Sequence, residues 1–391
     1  MNENSSLTQN EPDVTSLGEA AEAWSDMLVK TDDKLTDIQR EIDDLAYELY
    51  DIGEEDRQAI ESMLVQKSGD EDVGDEEDEN AVAVNTPNLV SELLDYSVGC
   101  CFGRFDICCA TGENPEPEEP DPFDPLPVCS PGMLQNDNGL PAEEKDIPGK
   151  YPLRISWPGI LVDDPGHPED VLTRVREALE IIWMDRAEAI EQEACEILNV
   201  RNIRDYLRRP NAFFVSHQKR YSKSRRKAPI FWPLSSQNGN YTLWFYYHRL
   251  TDQTLFLAVN DFVEPKIEET RKTIQTLQGK ADLNREDREQ LEKAQDLEAE
   301  LQDFLEELIR LAQAWKPNLN DGVQLTAAPL WKLFQHKPWQ KILKETWGKL
   351  EKGDYDWTHL AYSYWPERVK EKCRTDKSLA IAHGLEDLYE S

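Results

Sequence analysis

The sequence predicts a mainly α-helical protein with a small β-hairpin or sheet. This is an α+β fold whose long helices include an antiparallel, coiled-coil-like helical hairpin. Three observations predict it. Apolar residues recur at steps of three and four over long stretches, as on one face of an α-helix. Two short runs, Ala228 to Leu234 and Tyr241 to Tyr247, are instead rich in aromatic and β-branched residues and flank an Asn238-Gly239 turn signal, the composition of paired strands. Between residues 263 and 315, two stretches of apolar residues at coiled-coil spacing are interrupted by the polar break Gly279 to Asn284. A helix pair folded back on itself has that pattern.

Residues 1–32 are expected to be a disordered lead. In the helical pair predicted at 33–66, the first helix carries Leu35, Ile38, Ile42, Leu45, Ala46 and Leu49, with Gly53 as its C-terminal cap. The second runs from Glu54 to Val65 behind the acidic cluster Glu54-Glu55-Asp56, which suits a helix N-terminus. Residues 67–89 are an acidic linker, too charged and too poor in apolar groups to pack.

Residues 90–250 are expected to form an α+β module. It opens with a short helix, Val90 to Tyr96, followed by a Cys- and Gly-rich stretch and a proline-rich strap over 113–127. A long helix from Pro168 to about Leu198 follows, its apolar face running through Val171, Val175, Leu179, Ile182, Ile190 and Ile197. A short helix, Ile203 to Arg209, stops at Pro210. The two strand-like runs close the module. The helical hairpin occupies 251–315, as a partner-docking arm or as a helix pair packed on its own domain. Residues 316–391 hold Trp331, Trp339, Trp347, Trp357 and Trp365, which predicts a Trp-rich helical cap.

Charge and cysteine usage restrict the function. The net charge is −35. It falls mostly on residues 1–130, with 35 acids against 6 bases, so a general nucleic-acid coat is excluded but a local basic patch further on is not. No apolar run reaches the length of a membrane span, and Met1 to Asp13 lacks the apolar core of a signal peptide. Cytoplasmic location and reduced thiols are expected. Cys100, Cys101, Cys108, Cys109 and Cys129 lack a CxxC pair, so small buried side chains suit this cluster better than a structural zinc. Whether it binds metal stays open at this point.

The largest local departure from composition lies between Phe213 and Arg249. Residues 217–227 carry six Lys and Arg, and no acid occurs between Tyr206 and Tyr247. Lys219, Arg220, Tyr221, Lys223, Ser224, Arg225, Arg226 and Lys227 are the candidate DNA-binding residues. Their cationic heads and hydroxyls suit phosphate oxygens. Flanking Phe213, Phe214, Tyr221, Phe231 and Trp232 are candidates for base stacking. The same aromatics could instead belong to the core of the hairpin, and the basic run could neutralise the acidic front of the chain. The sequence lacks GxGxxG, GxxxxGK[ST], HExxH and GxSxG, so no catalytic residue, cofactor site or metal site is assigned.

The string Ser216-His217-Gln218-Lys219-Arg220-Tyr221-Ser222-Lys223-Ser224-Arg225-Arg226-Lys227-Ala228-Pro229-Ile230-Phe231-Trp232 resembles a stretch of the C-terminal region of PglX-type adenine-specific DNA methyltransferases of BREX phage defence and related fused restriction-methylation enzymes. Asp43 to Tyr50, Val98 to Asp106, Ala110 to Glu113 and Tyr241 to Leu250 resemble further segments of that region, in the same order. So do Asn320 to Val323, Gly353 to Trp357, Trp365 to Val369 and Ser378 to Gly384. The family binds S-adenosylmethionine through a glycine-containing loop and holds the flipped adenine with an Asn-Pro-Pro-Tyr motif. Neither is present, and the nearest string is Asn114-Pro115-Glu116-Pro117. The resemblance therefore implies a non-catalytic, DNA-contacting module. Its expected partners are duplex DNA and a methylase subunit supplied in trans, or the chain is a split fragment of such an enzyme. S-adenosylmethionine is expected only in a separate catalytic domain. The alternative is a protein-interaction scaffold of a defence complex that does not itself bind DNA.

Overall fold

The computed structural model describes residues 16–67, 85–115, 123–223 and 226–390. The first 15 residues of the expected lead, most of the acidic linker and the middle of the proline strap lie outside them. The chain divides into two units, Met1–Val90 and Ser91–Ser391.

In the first unit, α1 spans Leu17–Leu49 and begins at Ser16, whose side chain accepts from the Glu19 amide at 3.1 Å. It starts well ahead of residue 33, where the apolar pattern suggested. Trp24 and Leu28 continue the same spacing upstream, but Thr31-Asp32-Asp33 interrupts it and hides the continuity. The helix ends with Asp51 in the left-handed region at φ 54°, a conformation a short polar side chain tolerates. Gly53 is therefore not its cap. The Gly53 carbonyl instead accepts from the Arg57 amide at 2.9 Å and opens α2 (Glu54–Lys67).

The second unit takes in most of α3 (Thr86–Cys101), then α4 (Ile107–Ala110) and the short strand β1 (Ile160–Val162). The long helix expected from Pro168 is two helices, α5 (Val171–Trp183) and α6 (Ala187–Ile197). The break falls at Met184, whose φ is 49°. Arg176 on α5 holds both carboxylate oxygens of Glu191 on α6, at 2.8 and 2.7 Å. In one continuous helix those residues would sit about 22 Å apart, so the chain turns back on itself. Neither Gly nor Pro marks that turn.

Next come α7 (Ile203–Arg208), α8 (Phe213–Arg220) and a minimal hairpin of β2 (Ser222–Lys223) with β3 (Arg226–Lys227). The predicted strands follow as β4 (Phe231–Ser235) and β5 (Thr242–Tyr246). The sheet order is β1-β5-β4, antiparallel throughout, with Trp232 opposite Phe245 and Leu161 opposite Trp244. The central strand β5 is buried along its whole length. Pro233 lies in β4 at the sheet edge, the position a residue without an N–H tolerates. The missed strand β1 is short, and its Gly159 makes it possible. At φ 69°, a Cβ there would meet Arg249 Cβ at 2.8 Å.

Helix α9 (Thr254–Ala258) leads through one π-helical turn into α10 (Glu264–Gln278). The polar break then opens α11 (Arg285–Ala312), where Asn284 and Asp287 form a reciprocal capping box. Arg271 pairs with Glu298 at 2.6 Å and Lys280 with Asp287 at 2.6 Å. Partner numbers fall as residue numbers rise, so the two helices are antiparallel. The remainder is helical: α12 (Val323–Ala327), α13 (Lys337–Lys352), α14 (His359–Tyr364), α15 (Pro366–Cys373) and α16 (Lys377–His383).

One buried cluster joins the elements of the second unit. It contains Leu94 of α3, Trp232 and Trp244 of the sheet, Leu308 of α11 and Trp339 of α13. Segments 90–250, 251–315 and 316–391 therefore share a single core. Glu300 of α11 is buried and accepts from the Asn238 amide at 2.7 Å and the Asn240 side chain at 2.7 Å. The base of the helical hairpin is thus fastened to the turn between β4 and β5. Among the described residues, no helix is long and apolar enough to cross a membrane.

Candidate nucleic-acid interface

The basic segment is built on α8 and held from beneath by α3. His217 is fully buried on the inner face of α8. Its Nε2 accepts from the Ile230 and Phe231 amides, both at 2.9 Å. That lone pair places the ring proton on Nδ1, which donates to Asp95 Oδ1 at 2.5 Å. One imidazole thus ties α3, α8 and the start of β4 together. Beside it, Ser91 accepts from Tyr206 Oη at 2.7 Å and bonds to Ser216 at 2.6 Å.

The eight candidate residues separate into four groups. Arg220 pairs with Asp95 at 3.2 Å and Glu92 at 2.9 Å, so its charge is answered within the chain. The Tyr221 ring is half-buried, 4.8 Å from the His217 ring and beneath the Arg104 guanidinium at 5.5 Å. Lys219, Lys223, Arg226 and Lys227 are exposed. Among the described residues, Lys223, Arg226 and Lys227 have no carboxylate within ion-pair distance. Ser224 and Arg225 lie outside the described residues.

For four of the five rings the stacking expectation does not survive; Tyr221 is the one that keeps a partly exposed face. Phe213 and Phe214 are 1% exposed, and Phe231 and Trp232 are 0% exposed. Phe213 packs edge-on to Trp244 at 5.4 Å, and Phe231 stacks on His217 at 4.6 Å. These rings fill the core and leave no face for a base. Among the described residues, what reaches solvent is a cationic hairpin with the half-buried Tyr221 ring at its base. Such a surface suits phosphate oxygens.

Asp95, Ser91 and Glu92 went unnoticed in the sequence. A signal was present: Ser91 and Asp95 are polar residues four apart in a helix that is otherwise apolar on that side, and they share one face. Lys227 reaches a further element. Burial, and then its charge, push His336 at the start of α13 below the ordinary imidazole value.

The cysteine stretch packs into the core. Cys100, Cys101, Cys108 and Cys129 are buried free thiols. Burial pushes Cys101 and Cys108 up to about 12. Among the described residues, no three His, Cys, Asp or Glu side chains are grouped to hold a metal ion.

No family model matches the chain. Part of it is similar to a methyltransferase. Over 213 residues it is 25% identical to the adenine-specific methyltransferase BrxX of Escherichia coli O9:H4 (strain HS). The matched stretch is 50% of this chain and 15% of that protein, so the chain spans a small part of the length of the curated relative it matches. The likeness is to the class of enzyme that the sequence strings resemble.

Proposed function

We propose that this chain is a non-catalytic, DNA-contacting module of a BREX-type adenine methyltransferase system. It grips the backbone of duplex DNA through the β2–β3 hairpin while a methylase subunit, cytoplasmic like the chain itself, supplies S-adenosylmethionine and the chemistry. The observation that carries the reading is the hairpin. In a chain of net charge −35, Lys223, Arg226 and Lys227 stand exposed on a ribbon whose base is held by His217 and Asp95. In sequence, Ser224 and Arg225 lie between these residues, and Lys219 precedes them. The likeness to an adenine-specific methyltransferase supports DNA as the polyanion.

The test is duplex binding by the whole chain across a range of salt. About five cations on phosphates give a slope of log K against log salt near −4 to −5. Replacing Lys223, Arg226 and Lys227 with Ala should lower that slope by about 3 and weaken all sequences alike. A wild-type chain that binds no duplex at low salt, or a triple variant with an unchanged slope, refutes the proposal and favours a protein-docking scaffold.

A further inference from the structure

Helix α1 carries an apolar seam that its neighbour leaves open. Leu35, Ile38, Ile42, Leu45 and Leu49 step by three and four, and are 58%, 52%, 53%, 59% and 79% exposed. The same rhythm runs back through Thr31, Leu28 and Trp24, a heptad pattern with Leu35 and Ile42 at a and Ile38 and Leu45 at d. Helix α2 folds against a different side. Arg57 donates to Asp44 at 2.7 Å and lies over the Tyr47 ring at 4.3 Å, and these occupy heptad positions c and f. A 33-residue helix with such a stripe gains its stability from a partner.

We propose that α1 pairs in parallel and in register with α1 of a second copy of this chain, as a two-stranded coiled coil. Three features select that occupant. In this register, leucine meets leucine at 28, 35, 45 and 49, and isoleucine meets isoleucine at 38 and 42. The flanking g-to-e′ pairs become Met27 with Asp32, Lys34 with Gln39 and Glu41 with Ala46, so no like charges meet although the helix is acidic. Asp26, Asp33, Asp37, Asp43 and Asp44 fall at b, c and f and face water. An antiparallel, fully overlapping pair would instead set Lys34 against Lys34, Asp32 against Asp32, and Leu35 against Thr31. The area also suffices. Burial of seven such side chains at roughly 100 Å² each removes about 700 Å² per helix, close to the ~800 Å² per partner of a stable interface. This inference stands apart from the DNA-binding proposal.

The experiment is size-exclusion chromatography with light scattering on the full chain over a range of concentrations. The expected mass is twice the 45.1 kDa of one chain. Ile38→Asp with Ile42→Asp puts charges in the seam and should return the single-chain mass. Asp33→Asn, on the outer face, should leave the pair intact. Leu35→Cys tests the geometry without disturbing the fold. In a parallel pair the two a-position backbones lie within disulfide reach, so mild oxidation should yield a linked dimer that the wild-type chain does not form. A wild-type chain that stays single, because its own residues or another protein cover the seam, overturns the proposal. So does a dimer that survives the double substitution, or a Leu35→Cys chain that does not cross-link.

Discussion

Replacing His217 with Ala is the sharpest probe of how the basic hairpin is held. The substitution strands three buried groups at once: Asp95 Oδ1 and the amides of Ile230 and Phe231. Each stranded group costs about 1–3 kcal/mol. The emptied ring volume, against Phe231 at 4.6 Å and Tyr221 at 4.8 Å, adds a cavity. A total of about 4–6 kcal/mol follows, a large share of the 5–15 kcal/mol typical of a folded domain. Asp95→Asn keeps an acceptor oxygen for the ring and should cost less, roughly 1–2 kcal/mol. Hydrogen exchange read at Ile230 and Phe231, together with the urea midpoint, measures both effects. The expected result is loss of protection at those two amides and a midpoint lowered by about 2–3 M, given a slope of about 2 kcal/mol/M. Unchanged protection, or a destabilisation under about 1 kcal/mol, would refute the claim that one imidazole organises this junction.

Other consequences concern the helical elements. Burial alone would raise the Glu300 carboxyl, but bonds from Ser236, Asn240 and Asn238 outweigh it and hold the group below its ordinary value of 4.5. Its stabilisation is therefore present above that value and lost as pH falls through it. Glu300→Gln should flatten the acid limb of the stability profile below about pH 5 and cost roughly 1–2 kcal/mol at neutral pH, both read by urea titration at several pH values. Met184 sits at φ 49° and ψ −126° at the turn between α5 and α6, a backbone state that glycine reaches without strain. Met184→Gly should therefore raise the melting temperature by about 2–4 °C; a fall would show that the exposed side chain matters more than the strain.

Sequence periodicity determined the parts of this protein that depend on local geometry. The α10–α11 pair, the polar break between its helices and the strands β4 and β5 were all legible, because helix and strand side-chain periods and turn chemistry are properties of neighbouring residues. The basic run was legible too, because charge is read from composition. Tertiary structure decided which side chains remain available. Phe213, Phe214, Phe231 and Trp232 suit a stacking surface and a core equally well in sequence, and only packing sends them inward. Arg220 reads like its cationic neighbours until α3 brings Glu92 and Asp95 against it. The turn at Met184 and the short strand β1 escaped notice because long-range contacts hold them, the Arg176–Glu191 pair in one case and the ladder to β5 in the other. The open seam of α1 joins the two levels. Its spacing is written in the sequence, but only the placement of α2 on another side of the helix shows that nothing in that hairpin covers it.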